Sequence, residues 1–527
     1  KVQALWGANT REILLEITET KTANMSLVVG PIIGKVTSDS ARILIELDAA
    51  KSITVTLKTP DEREKKQVTK DVGANWPTVF SFEGLKENEK YLIGIDGVTL
   101  PSSSAFRTFN GRLQNDPHRY ALISCNKASV FEKTSGDSNL WYALAEKAQK
   151  GELDYAFHVG DQVYLDDSSS DEENLYKRWS KELADKTKAD WDRYQERIRD
   201  SIREEYQRIW GKEPIRRFMC NVPNLMIADD HEIRDDWGDR EEDSDPKTWD
   251  YFWGQQARYV YYQYQRQLWT DVDFGKLDEV KADFHHHTLG DTGLFFVDIR
   301  MARSWHKDSS DTYLGKKQWS VLNSVFGEGG EFSDCKNALI LCPTPLIWLS
   351  TNMTKLAGLN VNDFQGHIAH NHTDELSKFL TMLRRWKERN PHREVTLLGG
   401  DVHIGGHTDV YYNHKPLFKQ ITSSSICNRP LTKVQFFMER LIQEVHENLQ
   451  DGYSFEHYDW ENHHNYGLVE CSLRETERVN VKARLIGATE HGPKDHITHD
   501  NLNYKSKPKG GCCNIFQEDI FKSMFHF

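Results

Sequence analysis

The feature that most restricts how this 527-residue chain can fold is a set of four short apolar runs, each closed by a polar turn. Tyr120-Ala121-Leu122-Ile123 stops at Ser124-Cys125-Asn126, and residues 155–159 stop at Gly160-Asp161, with Tyr164 three positions on. Residues 222–228 run into Asp229-Asp230-His231-Glu232, and residues 394–398 into Gly399-Gly400-Asp401-Val402-His403. Runs of this length, rich in apolar β-formers and ended by turn residues, have the pattern of buried strands. In α/β sheets, sites form in the crevice beyond the carboxyl ends of the strands. A Cys, Asp or His waits at each of these four ends. A carboxylate and a phenolate oxygen delivered together suit a hard, highly charged cation such as ferric iron, calcium, magnesium or manganese.

Each ending alone has an ordinary explanation. Cys125 can be a small buried hydrophobe, Tyr164 a packed ring with a bonded hydroxyl, and Asp401 and His403 the caps of a turn. Taken in order, Ser124-Cys125-Asn126, Gly160-Asp161-Gln162-Val163-Tyr164, Asp229-Asp230-His231-Glu232 and Gly400-Asp401-Val402-His403 resemble the metallophosphoesterase superfamily, and within it the alkaline phosphatase D, or PhoD-like, family. The resemblance implies an α/β fold: an N-terminal β-sandwich followed by a two-sheet α/β/β/α metallophosphoesterase core with helical insertions. It implies Cys125, Asp161, Tyr164 and His403 around a ferric ion, Fe(3+). It implies Asp161, Asp230 and Asp401 around a second ion, Ca(2+) or another divalent cation. Asp161 is then the shared bridge, as two-metal sites require. His231 is the expected hydrogen-bond donor or general acid at the leaving group, with Asp229 orienting it or supporting the ligands from behind. Arg234, Arg300 and Arg303 are candidates to hold phosphate oxygens. Structural ion pairing is the alternative use of Arg300 and Arg303. Gln162 departs from several bacterial members of the family, which have Arg after the bridging Asp; this bears on the phosphate clamp and on diester preference.

The expected activity is metal-dependent hydrolysis of phosphomonoesters and/or phosphodiesters by a metal-activated water, on a small-molecule or lipid-head-group substrate. One alternative is a non-catalytic binding or scaffold protein that retains the fold. Another is a sugar-directed hydrolase using Asp229 and Asp230 as paired carboxylates, but such an enzyme has no use for a Cys–Tyr–His set. With 67 Lys and Arg against 80 Asp and Glu, the formal charge of −13 argues against broad nucleic-acid binding. It permits an anionic substrate, because bound cations reverse the sign of a cleft locally. No stretch approaches the ~20 apolar residues of a membrane helix, so no transmembrane segment is expected, and the residues after Lys1 show no secretory pattern. The eight cysteines are scattered without a CxxC pair, unlike a disulfide scaffold or a zinc site. Free thiols, with Cys125 as a ligand, are expected, and Cys512-Cys513 reads as ordinary tail rather than a lipidation site.

Along the chain, residues 1–110 read as a β-sandwich domain, 119–490 as the catalytic domain and 491–527 as an irregular tail. Runs at 27–29, 41–47, 52–57, 78–83, 91–95 and 105–108 are short strands separated by turn residues. Residues 138–148 have helical spacing, with Asp137 or Ser138 as cap. The charged and aromatic stretch 166–217 is expected to be helical insertion, its start at 166–173 a solvated loop. Residues 248–268 form a long aromatic helix candidate, and 375–387 are amphipathic. His285-His286-His287 reads as a histidine cluster beside a strand in preference to a metal site. Residues 338–341 and 346–349 are expected strands around Pro343 and Pro345. Runs at 409–413, 418–424, 467–472 and 478–486 are assigned to the second sheet of the core.

Overall fold

The computed structural model describes residues 26–500, apart from 101–102, 114–115, 135–138, 168–173, 239, 278–279, 281–282, 302–311, 349–371, 433–446, 475–476 and 490–491. The sequence readings for Asp137, Ser138, Arg303, Cys512 and Cys513 fall outside the described residues.

The first seven strands are β1 (Leu27–Val36), β2 (Ser40–Leu47), β3 (Lys51–Lys58), β4 (Lys65–Val72), β5 (Thr78–Glu83), β6 (Lys90–Ile95) and β7 (Ala105–Arg107). They make two small sheets, β1-β2-β5 and β4-β3-β6-β7. Ile33, Ile43, Ile45 and Phe80 of one sheet share a buried cluster with Val55, Leu57, Tyr91 and Ile93 of the other, so the two sheets pack as a sandwich. Sequence reading missed β4. This edge strand carries five exposed polar residues and buries only Val72, the charged make-up that edge strands use against unwanted pairing.

The core begins with β8 (His118–Ile123), β9 (Tyr155–Val159) and β10 (Asn224–Ile227), paired in parallel. Then come β11 (His285–Leu289), β12 (Thr292–Phe296), β13 (Asn337–Leu341), β14 (Glu394–Gly399), β15 (Gly405–Tyr412) and β16 (Lys415–Thr422). The last strands are β17 (Glu447–Asn448), β18 (Tyr453–Glu461), β19 (Asn465–Leu473), β20 (Val479–Thr489) and β21 (Gly492–Asp500). One sheet has the order β10-β9-β8-β19-β20-β21 and the other β11-β12-β13-β14-β16-β15-β18-β17.

Strand periodicity creates the layers. Tyr120 and Leu122 of β8 enter the cluster between the sheets, as do Phe157 and Val159 of β9, Leu339 and Leu341 of β13, and Leu398 of β14. Ala121, Ile123 and Ala156 point outward to the helices 140–149, 195–210, 213–219 and 249–264. Ala338, Ile340, Val395 and Leu397 point the other way, to the helices 315–326 and 373–388. Alternate side chains of one buried strand thus serve two cores, and the result is helix, sheet, sheet, helix.

Several local expectations are corrected. β19 and β20 belong to the first sheet, because β19 pairs antiparallel with β8 and β20 with β19; only β15 and β16 of the four late runs join the second. Residues 492–500, read as irregular tail, are strand β21. Residues 346–348 are not a strand; they follow the bend at Pro343 and Pro345. The helix after β8 is capped by Asn139, whose side chain accepts from Trp141 N. His285 and His287 are buried and bonded to each other, Nδ1 to Nε2 at 2.8 Å, with His285 stacked on Trp269; this is the packed cluster expected. The six described cysteines are all free and buried. Among the described residues no helix is long and apolar enough to cross a membrane.

Candidate metal centre

The parallel strands β8, β9, β10 and β14 all end at one place, and their turns bring the marked residues together. Two glycines allow the approach. A Cβ on Gly160, whose φ is +87, would lie 2.4 Å from Asp229 Cβ, and one on Gly400 would lie 2.6 Å from Ser124 Cβ and 2.8 Å from the Val159 carbonyl. Four of the expected ligands have left-handed backbones: Cys125 (φ 56), Asp161 (φ 56), Asp401 (φ 63) and His403 (φ 56). Non-glycine residues there cost on the order of 1–3 kcal/mol each and cluster at functional sites.

Asp161 stands at the centre. Its Oδ2 lies 3.4 Å from Cys125 Sγ and accepts from Tyr164 Oη at 2.9 Å, while its Oδ1 is buried without a hydrogen-bond partner. Cys125 Sγ also lies 3.4 Å from the Asp401 carbonyl. One ligand atom from each of Asp161, Asp229, Asp230 and Asp401 lies within 4.8 Å of the others, and the same holds for Asp161, Asp230 and His231. Cations bound to oxygen at about 2–2.6 Å fit such spacings. Asp229 Oδ2 and Asp230 Oδ1 are also buried without hydrogen-bond partners.

Burial pushes the Asp161 and Asp401 carboxyls well above their usual range, reinforced by the neighbouring carboxylates. It pushes the Cys125 thiol and the Tyr164 phenol up as well, and lowers His403 to about 4, so its imidazole is neutral. A bound cation supplies the opposite field: it deprotonates coordinating thiols and stabilises anionic oxygens. The donor set therefore fits metal ions.

The remaining predicted residues take up roles that differ in part from expectation. His231 packs against Tyr164, its ring tilted by 33° at 4.2 Å between ring centroids. Its Nδ1 donates to Asp166 Oδ1 at 2.7 Å. Burial works against a charged His231, but Asp166, Asp230 and Asp161 outweigh it and hold the ring's pKa well above normal. Asp166 thus orients His231, the part expected of Asp229, and it is not in a solvated loop. Asp229 instead receives Arg300 Nε at 2.5 Å, with Arg300 Nη2 3.5 Å from Asp230 Oδ1. Arg300 is an ion-pair partner inside the cluster, the structural alternative named for it. Arg234 is not brought to the cleft as a phosphate holder: Asp243, Asp250 and the Asp235 carbonyl take its guanidinium. Gln162 points into the scaffold, its Oε1 2.8 Å from His158 Nδ1 and its Nε2 donating to the Gly160 carbonyl.

Sequence reading gave no role to three residues that hold the site. Glu232 accepts from the backbone N–H of Asp161 (3.0 Å), Gln162 (2.7 Å) and Asp229 (2.9 Å), and from Gln265 Nε2 (3.0 Å). It ties the turn after β9 to the turn after β10. Ser424 Oγ lies 3.1 Å from Cys125 Sγ and accepts from His403 N at 3.0 Å. Asn428 Nδ2 donates to Tyr164 Oη at 2.9 Å and to His403 Nε2 at 3.0 Å. The signal for the last two was a fifth strand run, β16, followed by Ser423-Ser424-Ser425.

Two face-packed sheets flanked by helices, with acidic and histidine side chains gathered at their strand ends, define a fold of the metallophosphoesterase class. The chain belongs to the PhoD-like phosphatase family, whose model matches residues 120–483. Among solved structures it is similar to one described as the structure of PhoD, at 14% identity over 89% of this chain and 88% of that one, with a TM-score of 0.61. It is also similar to the purple acid phosphatase PPD1 from yellow lupin (Lupinus luteus) seeds, at 10% identity over 92% of this chain and 77% of that one, TM-score 0.51. At these identities the likeness is one of fold. A comparison with curated proteins found no match.

Proposed function

We propose that this phosphatase-family chain hydrolyses phosphomonoesters or phosphodiesters of a small molecule or lipid head group at a dinuclear metal site. Residues 119–490 form the catalytic unit and 1–110 the preceding β-domain. Cys125, Asp161, Tyr164 and His403 would hold a ferric ion, and Asp161, Asp230 and Asp401 calcium or another divalent ion. The observation that carries this reading is the set of buried carboxylate oxygens on Asp161, Asp229 and Asp230 that lack hydrogen-bond partners. An unpaired buried charge costs several kcal/mol, and among the described residues Arg300 is the arginine that pairs with this group. When bound, the cations supply charge neutralisation for phosphoryl oxygens and lower the pKa of water.

The protein's own groups do the rest. With Nδ1 engaged by Asp166, His231 keeps Nε2 for a proton that a leaving oxygen needs. Asp166 fixes the tautomer and stabilises the charged ring. Arg300 holds Asp229 in place, and Glu232 holds the two turns at a fixed separation. The His231–Asp166 pair favours an enzyme over a scaffold, because it sets a charged proton donor beside the carboxylates.

Elemental analysis of purified protein, followed by Asp161→Asn, tests the reading. The wild type is expected to carry iron and a divalent ion and to turn over a nitrophenyl phosphate or its bis-ester. Asp161→Asn is expected to lose metal and more than about a hundredfold in rate, beyond the 10–100-fold that outer partners of ligands cost. A metal-free active protein, or undiminished turnover in the variant, would refute it. Comparison of the two esters separates monoesterase from diesterase.

A further inference from the structure

Asn428 carries no charge and stands in none of the four strand-end motifs, yet its side chain reaches two of the donors assigned to the ferric site. Resting on that assignment, we propose that Asn428 is a positioning residue that holds the Tyr164 phenol beside the point a cation occupies and presets His403 with an unprotonated Nε2.

The segment bearing Asn428 is fastened to the Cys125 turn. Cys427 N donates to the Cys125 carbonyl at 3.2 Å, and Lys127 N donates to the Cys427 carbonyl at 2.7 Å. Asn428 itself is 6% exposed. Its Oδ1 accepts the Arg429 backbone N–H at 2.7 Å. That contact demands an acceptor, so the oxygen end of the amide is fixed and the NH2 end must point inward.

An amide NH2 has two hydrogens and no lone pair. One goes to Tyr164 Oη at 2.9 Å and the other to His403 Nε2 at 3.0 Å. His403 is therefore held in the tautomer with an unprotonated Nε2, and a cation bound there would replace the Asn428 hydrogen at that lone pair. Tyr164 Oη accepts from Asn428 while donating to Asp161 Oδ2 at 2.9 Å. Two lone pairs from elements far apart in sequence thus converge on one nitrogen. Ser424, on the same segment, meets both Cys125 Sγ and His403 N. The segment after β16 so touches Cys125, Tyr164 and His403, and does so without adding negative charge to a cluster already rich in carboxylates. Outer partners that fix a ligand's orientation typically contribute 10–100-fold in metal affinity.

The test uses the full chain loaded with ferric ion, as wild type, Asn428→Ala and Asn428→Asp. The half-time of iron loss to a chelator and the visible phenolate-to-iron charge-transfer band are read. Asn428→Ala should lose iron about 10–100-fold faster, with the band moved to longer wavelength, because the phenolate loses a hydrogen-bond donor and becomes a stronger electron donor. Asn428→Asp keeps the shape but has no hydrogen to donate to the phenolate, and should also move the band from its wild-type position. Circular dichroism of the metal-free forms separates folding from positioning. Where Asn428→Ala does not fold, the band of Asn428→Asp decides. Ferric uptake by the wild type with both variants unmoved in half-time and band overturns this inference alone. A wild type that takes up no ferric ion overturns it together with the ferric assignment on which it rests.

Discussion

Single residues carry the strain of this site. Cys125, Asp161, Asp401 and His403 sit at φ between 56 and 63, a conformation that a chain keeps only where its surroundings over-determine it. For Asp161 the restraint is visible. Its N–H and that of Gln162 both end on Glu232, which also takes the N–H of Asp229. A buried carboxylate can accept all of these; a carboxamide cannot. Glu232→Gln leaves one oxygen and turns an NH2 group on backbone donors, and a buried unsatisfied donor costs about 1–3 kcal/mol. The variant is expected to unfold more easily by about 2–3 kcal/mol and to lose bound metal, since the Asp161 and Asp229 turns lose their common anchor. Denaturant melts and metal content check it. Unchanged metal content at lowered stability would show that Glu232 serves the fold alone.

At the level of elements, the strand-end turns were legible in the sequence because their chemistry and their folding signal coincide. A buried strand must be apolar, and Cys, Asp, His and Tyr are donors that suit a metal, so β8, β9, β10 and β14 announce themselves at the turns that follow them. Asp166 was hidden for the opposite reason: it begins a run of charges and looks solvated, although it pairs with His231. Asn428 and Ser424 are common loop residues whose use exists only once β16 lies beside β14. The placing of β19 and β20 was misread because sheet membership is decided by long-range pairing with β8, which local alternation does not encode. Where the two sheets' ends meet, Gly400 leaves no room for a side chain against Ser124 and the Val159 carbonyl. Gly400→Ala must push the Asp401–His403 turn away from the Cys125 turn. Such overpacking costs about 1–3 kcal/mol of stability, but turnover is expected to fall more than that loss explains, because the two turns separate. Rates on a nitrophenyl phosphate, taken well below the melting midpoint, test it; a variant with normal turnover would show that the sheet ends tolerate separation.

The molecule as a whole buries ionisable groups in every layer, and this sets its response to acid. Burial lowers His118, between the β-domain and the core, His158, in β9, and His457, in β18, each to about 4. Burial also raises Glu205 to about 7 and Asp154 to about 6, which acts in the opposite sense on acidification, so the histidine contribution must be isolated by substitution. His457 suits this. It lies in β18, outside the four strand-end turns, with its Nδ1 2.7 Å from Thr408 Oγ1 and its Nε2 2.8 Å from the Trp348 carbonyl. An unfolded histidine titrates near 6.5. Between about 6.5 and about 4 the unfolded chain therefore binds a proton at this position that the folded one does not, and stability falls as the pH falls through that window. At about 1.4 kcal/mol per pH unit, the loss assigned to His457 is about 3 kcal/mol. His457→Gln cannot take up that proton. It is expected to be less stable than the wild type at pH 7, through its altered hydrogen bonds, and to close part or all of that gap by pH 4.5. Thermal midpoints of both proteins across this range measure the difference. A gap that stays constant with pH would mean that His457 is already charged in the folded protein, or that the layers around it open before it titrates.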